Sequence, residues 1–464
     1  MGLQVYNSLT KKIEEFIPRE KTDVTMYTCG PTVYFYPTIG NYRTFVFSDL
    51  VNRVLQFDGY SVRSAMNFTD VGHLTGDNEG DADAGEDRIE TAATKEGKTA
   101  KDITDFYIDD FVKSFDKLNM LRPSVFTRAT DYIQEQIDLI KTLEQKGYAY
   151  TISDGVYFDT SKYEDYGKLS GFTAETIMEG ARVEPNPEKR NPMDFGLWKL
   201  SIEGVQRLQE WDSPWGKGFP GWHVECSAMA LKELGETVDL HLGGEDLKMI
   251  HHQDEIAQSE CATNKKYVRY WLHGAFMLVD GGRMSKSLGN GYVLSDIEGK
   301  GFDLLALRYF YMGAHYRTQI NFTWEALANA QNSLKKIYDI IGAYKDDKDA
   351  VPDGEFINTF RDKVNDDINM PEALAVFWEM LKSPLSETKK VATATEMDKV
   401  LGLRLRDQVG YVVPEEIMDV AKTREEYRKS GIWDKADMLR KDLLVRGYIV
   451  EDIQGGGFKV RRKN

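Results

Sequence analysis

VTMYTCGPTVYFYPTIGNYRTFVFSDLVNRVLQFDGYSVRSAMNF, residues 24–68, decides the fold class. Val24 to Cys29 alternates and contains β-branched residues, so it reads as a strand. Gly30-Pro31 breaks it. After a loop, Tyr42 to Phe57 carries apolar residues at Phe45, Val46, Leu50, Val54 and Leu55, which is helical spacing. Asp58-Gly59 stops the helix, and Ser61 to Phe68 reads as the next strand. Strand, loop, helix and strand make a βαβ unit, which predicts an α/β fold on a parallel sheet. Ligands bind such sheets at the carboxyl ends of the strands. Cys29 stands at one such end and Thr69-Asp70 at another.

Outward from this unit, Asp77 to Glu90 is acidic and Gly-rich. It fails as a calcium loop, because position six is Ala82 and position twelve is Arg88, so it reads as a solvated loop. Helices are expected at Ala100–Leu118 and Asp131–Lys146. Short strands with Pro and Gly turns from Gly147 to about Leu200 read as an insertion, spanning about 121–205, in a sheet domain covering 1–320. Residues 321–410 are almost wholly helical in pattern, including Pro371–Leu381. Val412-Val413-Pro414 reads as a linker to a small α+β module at 415–464. In that module a helix is expected at Lys435–Arg446, a strand at Tyr448–Glu451 and a turn at Gly455-Gly456-Gly457.

The chain has 464 residues, enough for about two to four domains. No apolar run reaches the roughly 18–20 residues of a membrane span, and the first residues lack a signal-peptide pattern. A cytoplasmic protein with no membrane partner is expected. Three cysteines, Cys29, Cys226 and Cys261, argue against a disulfide framework. The net charge of −16 excludes general nucleic-acid binding, which needs local Lys and Arg. Yet Glu415–Asn464 holds 12 Lys and Arg against 10 Asp and Glu, so a mildly basic tail is available either to RNA or simply to solvent.

His251 and Glu255 are four apart and share one face of an expected helix. With the thiols of Cys29 and Cys226 they make a donor set suited to tetrahedral zinc. Spacing alone leaves a second reading open: two buried cysteines and an ordinary helical pair. Thr38-Ile39-Gly40-Asn41 opens the first helix, followed by Arg43. It is either a phosphate site at a helix N-terminus or a plain cap by Asn41. Asp280–Asn290 is a Gly-flanked basic loop able to bring Lys286 onto a polyphosphate.

Arg283-Met284-Ser285-Lys286-Ser287 resembles the Lys-Met-Ser-Lys-Ser loop of class I aminoacyl-tRNA synthetases, and Thr38-Ile39-Gly40-Asn41 stands in the place of their His-Ile-Gly-His motif. Cys29–Tyr34, Gly221–Met229, His251-His252 with Glu255–Glu260, and Asn365–Asn369 resemble cysteinyl-tRNA synthetases, in order and over essentially the whole chain. The resemblance implies a Rossmann-like catalytic domain, a helical bundle and an anticodon-end module. It implies one zinc on Cys29, Cys226, His251 and Glu255, holding the thiolate of the substrate as a fifth ligand. Thr69, Trp222 and Asp246 would frame the amino acid. Thr38, Gly40 and Asn41 would cradle ATP, with Mg²⁺ assisting and Lys286 stabilising pyrophosphate. The implied partners are L-cysteine, ATP and tRNA(Cys), and the implied state is a monomer. Thiolate binds zinc far better than a hydroxyl, so serine is rejected without an editing site.

Departures from the family pattern are Thr38 and Asn41 for two His, Leu247-Lys248-Met249-Ile250 before the His pair, Gln253 and Asp254 beside it, and Arg283 for Lys. Cys261 matches no motif and reads as structural. Two other readings stand beside the synthetase: a paralogue that joins cysteine to an amino sugar, and a binder of RNA or cysteine without turnover. Asp434–Asp437 through Arg446–Asp452 resembles the anticodon-end module and favours RNA as acceptor.

Overall fold

A computed structural model of the chain describes residues 2–72, 87–171, 186–202, 204, 207–284, 289–453 and 457–462. A hairpin of β1 (Gln4–Asn7) and β2 (Lys12–Glu15) precedes β3 (Asp23–Thr28), α1 (Ile39–Phe57) and β4 (Ser61–Phe68). Next come α2 (Arg88–Glu96), α3 (Ala100–Lys117), β5 (Val125–Arg128) and α4 (Ile133–Gln145). Strands β6 (Ala149–Ile152), β7 (Gly155–Phe158), β8 (Phe195–Leu200) and β9 (Gly218–Pro220) follow, then α5 (Trp222–Leu234). The second half of the main sheet is β10 (Val238–Gly244), α6 (His251–Thr263) and β11 (Val268–Gly274). After β12 (Met277–Val279) and β13 (Gly282–Arg283) come α7 (Leu294–Gly299), α8 (Leu304–Met312) and β14 (Ile320–Phe322). The bundle is α9 (Trp324–Ala343), α10 (Gly354–Val364), α11 (Met370–Lys382) and α12 (Glu387–Leu401). The chain ends in α13 (Glu415–Lys429), α14 (Trp433–Val445), β15 (Tyr448–Asp452) and β16 (Phe458–Arg462).

The main sheet is parallel, in the order β11-β10-β3-β4-β5, so this is the expected Rossmann-like α/β core. Its order reverses between β3 and β10, whose register pairs Tyr27 with His241 and Thr28 with Leu242. A crevice therefore opens beyond the carboxyl ends of those two strands. Val125–Arg128, inside the 121–205 stretch, pairs in this sheet. A separate antiparallel sheet runs β6-β7-β8-β9 and takes its last strand from beyond that stretch. Cys261 is buried in the hydrophobic cluster beneath that sheet, its thiol pushed up to about 12 by burial. Among the described residues no helix is long and apolar enough to cross a membrane.

Helix α1 starts earlier than its apolar spacing suggested, because Thr38 and not Asn41 is the cap. The Thr38 hydroxyl accepts from the Asn41 amide at 3.4 Å, and the Asn41 side-chain oxygen accepts from the Thr38 amide at 2.9 Å. Arg43 is buried and spends its guanidinium on the carbonyls of Ala275, Phe276, His315 and Thr318, so it serves the fold and not a phosphate. The acidic stretch before α2 lies largely outside the described residues; its end is helical, since Asp87 caps α2 through the amides of Ile89 and Glu90. The Gly455-Gly456 part of the expected turn is likewise outside them.

A buried charge network fastens α1 to the bundle. Asp49 accepts from Arg53 Nε at 2.8 Å and from Arg308 Nη2 at 2.6 Å. Arg308 is wholly buried and also donates to the Leu401 and Leu118 carbonyls. Arg53 reaches the carbonyls of Lys399 and Asn119. Asp49→Ala leaves two buried guanidinium groups without their shared carboxylate and is predicted to destabilise the fold by about 3–5 kcal/mol. A fall in the denaturant midpoint checks this, and an unchanged midpoint contradicts it.

Candidate active site

Ligand atoms of Cys29, Cys226, His251 and Glu255 lie within 4.8 Å of one another, all on buried residues. Three elements deliver them. Cys29 is the first residue beyond β3, its amide donating across the switch point to the Leu242 carbonyl at 3.2 Å. Cys226 lies in the first turns of α5. His251 begins α6, and Glu255 follows one turn later on the same face. His251 Nε2 stands 3.4 Å from Cys226 Sγ and 3.1 Å from Glu255 Oε1, and Cys29 Sγ stands 3.7 Å from the same oxygen. The Trp222 ring stacks on His251 at 4.4 Å.

The charges of this cluster are set by burial and by each other. Burial raises the Cys29 thiol, and the hydrogen bond to Cys226 raises it further. Burial acts upward on Cys226 too, but the bond from Cys29 and the nearby His251 outweigh it and bring that thiol down to about 6. Burial opposes charge on Glu255 as well, yet His241 and His251 hold its carboxyl well below the usual range. Against the burial penalty, the Cys226 thiolate and the Glu255 carboxylate raise His251 well above an ordinary imidazole. A thiolate and a carboxylate thus surround one imidazolium in a place without water. A divalent cation supplies that positive charge better than a proton, and the Cys₂HisGlu donor set suits zinc.

Behind these four stands a shell of histidines to which the sequence reading gave no role, His223 and His252 inside quoted motifs and His241 and His273 outside any. His251 Nδ1 meets His223 Nδ1 at 2.9 Å, and His223 Nε2 lies 3.4 Å from Asp254. His252 Nε2 lies 3.3 Å from Cys29 Sγ, its Nδ1 meets His273 Nε2 at 2.8 Å, and His273 Nδ1 meets Ser8 Oγ at 2.8 Å. His241 Nε2 and the Tyr267 hydroxyl reach Glu255 Oε2 at 3.0 and 3.1 Å. Burial lowers His223, His252 and His273, so these rings are neutral. Gly243 makes room for one of them: a Cβ there would lie 2.6 Å from His252 Cε1. The available signal was a histidine inside the apolar strand Val238-Asp239-Leu240-His241-Leu242.

The remaining predicted residues fall into two groups around the same sheet edge. Thr69 is buried just beyond β4, bridged to Thr32, and its hydroxyl accepts from Asn67 Nδ2 at 3.3 Å. Asp246 sits in the exposed turn after β10, and Trp222 opens α5. Thr38, Gly40 and Asn41 form the N-terminus of α1 and are bonded to each other through Thr38 and Asn41. Both flanks of the basic loop meet this helix end. A Cβ on Gly40 would come within 3.3 Å of Met284, and the Ile39 amide donates to the Tyr292 carbonyl at 2.8 Å. Lys286 itself lies outside the described residues.

Residues 15–332 match the family model for the class I (C) tRNA synthetase catalytic domain. Cysteine–tRNA ligase 1 of Burkholderia lata is 43% identical over 459 residues, covering 98% of this chain and 96% of that protein. Cysteine–tRNA ligase of Treponema denticola is 38% identical, covering 98% of this chain and 99% of that protein. This chain belongs to the cysteine–tRNA ligase family. The fold is shared more widely within class I: methionyl-tRNA synthetase of Mycobacterium tuberculosis, solved with methionyl-adenylate, superposes with a TM-score of 0.57 at 15% identity, over 84% of this chain and 91% of that one.

The cluster's proton inventory gives a measurable consequence. A dication seated on these ligands displaces the proton of His251 and that of the Cys29 thiol, so about two protons leave per ion bound at neutral pH. Affinity is predicted to fall as pH drops through about 6, where Cys226 takes up a proton. Calorimetric zinc titrations in buffers of different ionisation heat measure both, and a proton-silent, pH-independent affinity contradicts the assignment.

Proposed function

We propose that this chain ligates L-cysteine to tRNA(Cys) through a cysteinyl-adenylate, with the Cys29-Cys226-His251-Glu255 cluster selecting the substrate by its thiol. The observation that carries the reading is that buried donor set at the carboxyl edge of the sheet, in a member of the cysteine–tRNA ligase family. A zinc ion held there would supply a Lewis acid that favours thiolate sulfur over hydroxyl oxygen. Trp222, stacked on His251, fixes that ligand's plane and walls the pocket. Thr69 and Asp246, at the ends of β4 and β10, frame the rest of the amino acid.

In the first step the cysteine carboxylate attacks the α-phosphorus of ATP, and pyrophosphate leaves. The N-terminus of α1 presents a favourable dipole to the phosphates. Thr38 and Asn41 can exchange their mutual bonds for bonds to phosphate oxygens. Lys286 offsets the charge that develops on the departing pyrophosphate, to which Mg²⁺ would add when bound with ATP. In the second step the terminal ribose 2′-hydroxyl attacks the activated carbonyl, forming the ester and releasing AMP. That step is chiefly positioning, for which the C-terminal module at 415–464 holds the far end of the RNA.

Charging of tRNA(Cys) with labelled cysteine, with serine as control, tests the reading. Cysteine-only charging is expected, and its absence in a folded, zinc-loaded sample contradicts it. Cys226→Ser is predicted to raise KM for cysteine at least about tenfold, because a hydroxyl is a poor zinc ligand. An unchanged KM sinks the metal's role in selection. The module at 415–464 has its own small core of Ile417, Ala421, Leu443, Val450 and Val460. Truncation after Val413 is therefore expected to spare cysteine-dependent pyrophosphate exchange while weakening tRNA charging, and undiminished charging overturns its RNA role.

A further inference from the structure

We propose that the buried cluster holds a second metal seat, made of Cys29, His241, His252 and Glu255, that overlaps the seat made of Cys29, Cys226, His251 and Glu255. The proposal rests on the reading of this cluster as a metal site and adds an alternative place for the ion within it. Within each set the ligand atoms lie within 4.8 Å of one another, and every residue in both is buried. The two shared residues face both ways. Glu255 turns Oε1 to His251 at 3.1 Å and Oε2 to His241 at 3.0 Å. Cys29 Sγ lies 3.3 Å from His252 Nε2 and 3.7 Å from Glu255 Oε1. Each seat then has its own pair of ligands, Cys226 with His251 on one side and His241 with His252 on the other.

The inner pair is prepared for ligation. Ligating histidines usually donate their second ring N–H to a fixed partner. His252 has that support in the chain His252–His273–Ser8, which leaves Nε2 as a bare lone pair when each Nδ1–H donates outward. His241 is wholly buried, its Nε2–H donating to the Glu255 carboxylate and its Nδ1 without a hydrogen-bond partner, so nothing opposes a shift of the proton to Nδ1 when an ion takes Nε2. Each seat also has its own indole: Trp222 stacks on His251 at 4.4 Å, and Trp271 stacks on His241 at 4.5 Å.

Charge ranks the two seats. The outer set offers two thiolates and a carboxylate, which zinc favours. The inner set offers one thiolate and one carboxylate, which balance a dication, and two imidazole nitrogens, which suit cobalt or nickel as well as zinc. Both need Cys29 and Glu255, so one ion occupies one seat at a time. An ion in the inner seat is retained by the protein but stands on the Trp271 side, away from the wall formed by Trp222. The chain would then be metal-loaded and unable to hold the substrate thiol.

Cobalt(II) titration of the full-length protein tests this, read by metal stoichiometry and by the thiolate-to-cobalt charge-transfer band. Native protein is expected to bind one ion. The Cys226→Ala/His251→Ala double variant is expected still to bind one ion, with the band reduced to about half as one thiolate replaces two. Adding His252→Ala should then abolish binding. A folded double variant that binds no cobalt, while native protein does, overturns the second seat and leaves the first intact. Native protein that binds no cobalt or zinc overturns both. If the double variant does not fold, the near-isosteric Cys226→Ser decides instead. Its cobalt affinity should fall at least tenfold on adding His252→Ala, and an unchanged affinity overturns the proposal.

Discussion

A thiolate and a carboxylate enclosed away from water are the constraint on which the rest of this molecule depends. Cys226 and Glu255 both lose hydration on folding, and each stays ionised only because other groups in the cluster favour it. In the metal-free chain that task falls to protonated His251, together with His241 on the far oxygen of Glu255. Such an arrangement is costly without a cation, and the cost is what gives a metal ion its hold. In the proposed function the same buried sulfur and oxygen donors would decide which substrate side chain can join them. Selectivity for a thiol over a hydroxyl would then follow from ligand chemistry, with no need of shape discrimination between two near-isosteric amino acids.

The scaffold exists to bring three distant segments to that point. Reversal of strand order between β3 and β10 opens the crevice, and Cys29 stands at its edge because its strand ends there. Helices α5 and α6 pack together and carry the other three ligands. On the opposite side of the sheet α1 is clamped to the bundle by Asp49, Arg53 and Arg308. Its N-terminus is thereby fixed against both flanks of the basic loop. The Cys29-Cys226-His251-Glu255 cluster and the Thr38–Asn41 helix end thus flank one sheet, the juxtaposition that the proposed reaction between an amino acid and ATP requires.

Much of this was legible in the sequence, for physical reasons that differ by element. The βαβ unit at 24–68 declared the parallel sheet because strand alternation and helical spacing are strong over those lengths. Val238–Gly244 and Val268–Gly274 were not singled out, since His, Asp, Arg and Gly interrupt their apolar pattern while the folded sheet buries them all the same. In the tail, α13 was missed because it is charged nearly all round, with only Ile417 and Ala421 among its buried apolar residues. Residue chemistry proposed the four cluster residues as a zinc donor set but left plain buried cysteines open, since no spacing brings Cys29 and Cys226 together; only the family resemblance joined them. His241 and His273 stand in no motif, and His252 stands in one without a role assigned to it, for a similar reason: their roles are set by what stands behind them in the fold. Thr38 as the cap is a local detail that the apolar pattern of α1 could not distinguish from Asn41.

The central claim is that the substrate thiol is chosen by direct bonding to a metal on Cys29, Cys226, His251 and Glu255. Zinc-edge X-ray absorption on the zinc-loaded protein, with and without cysteine, tests it most directly. The account predicts one additional sulfur neighbour when cysteine is added and none when serine is added. An unchanged sulfur shell under saturating cysteine would contradict it, and the cluster would then be a structural site with selection made elsewhere.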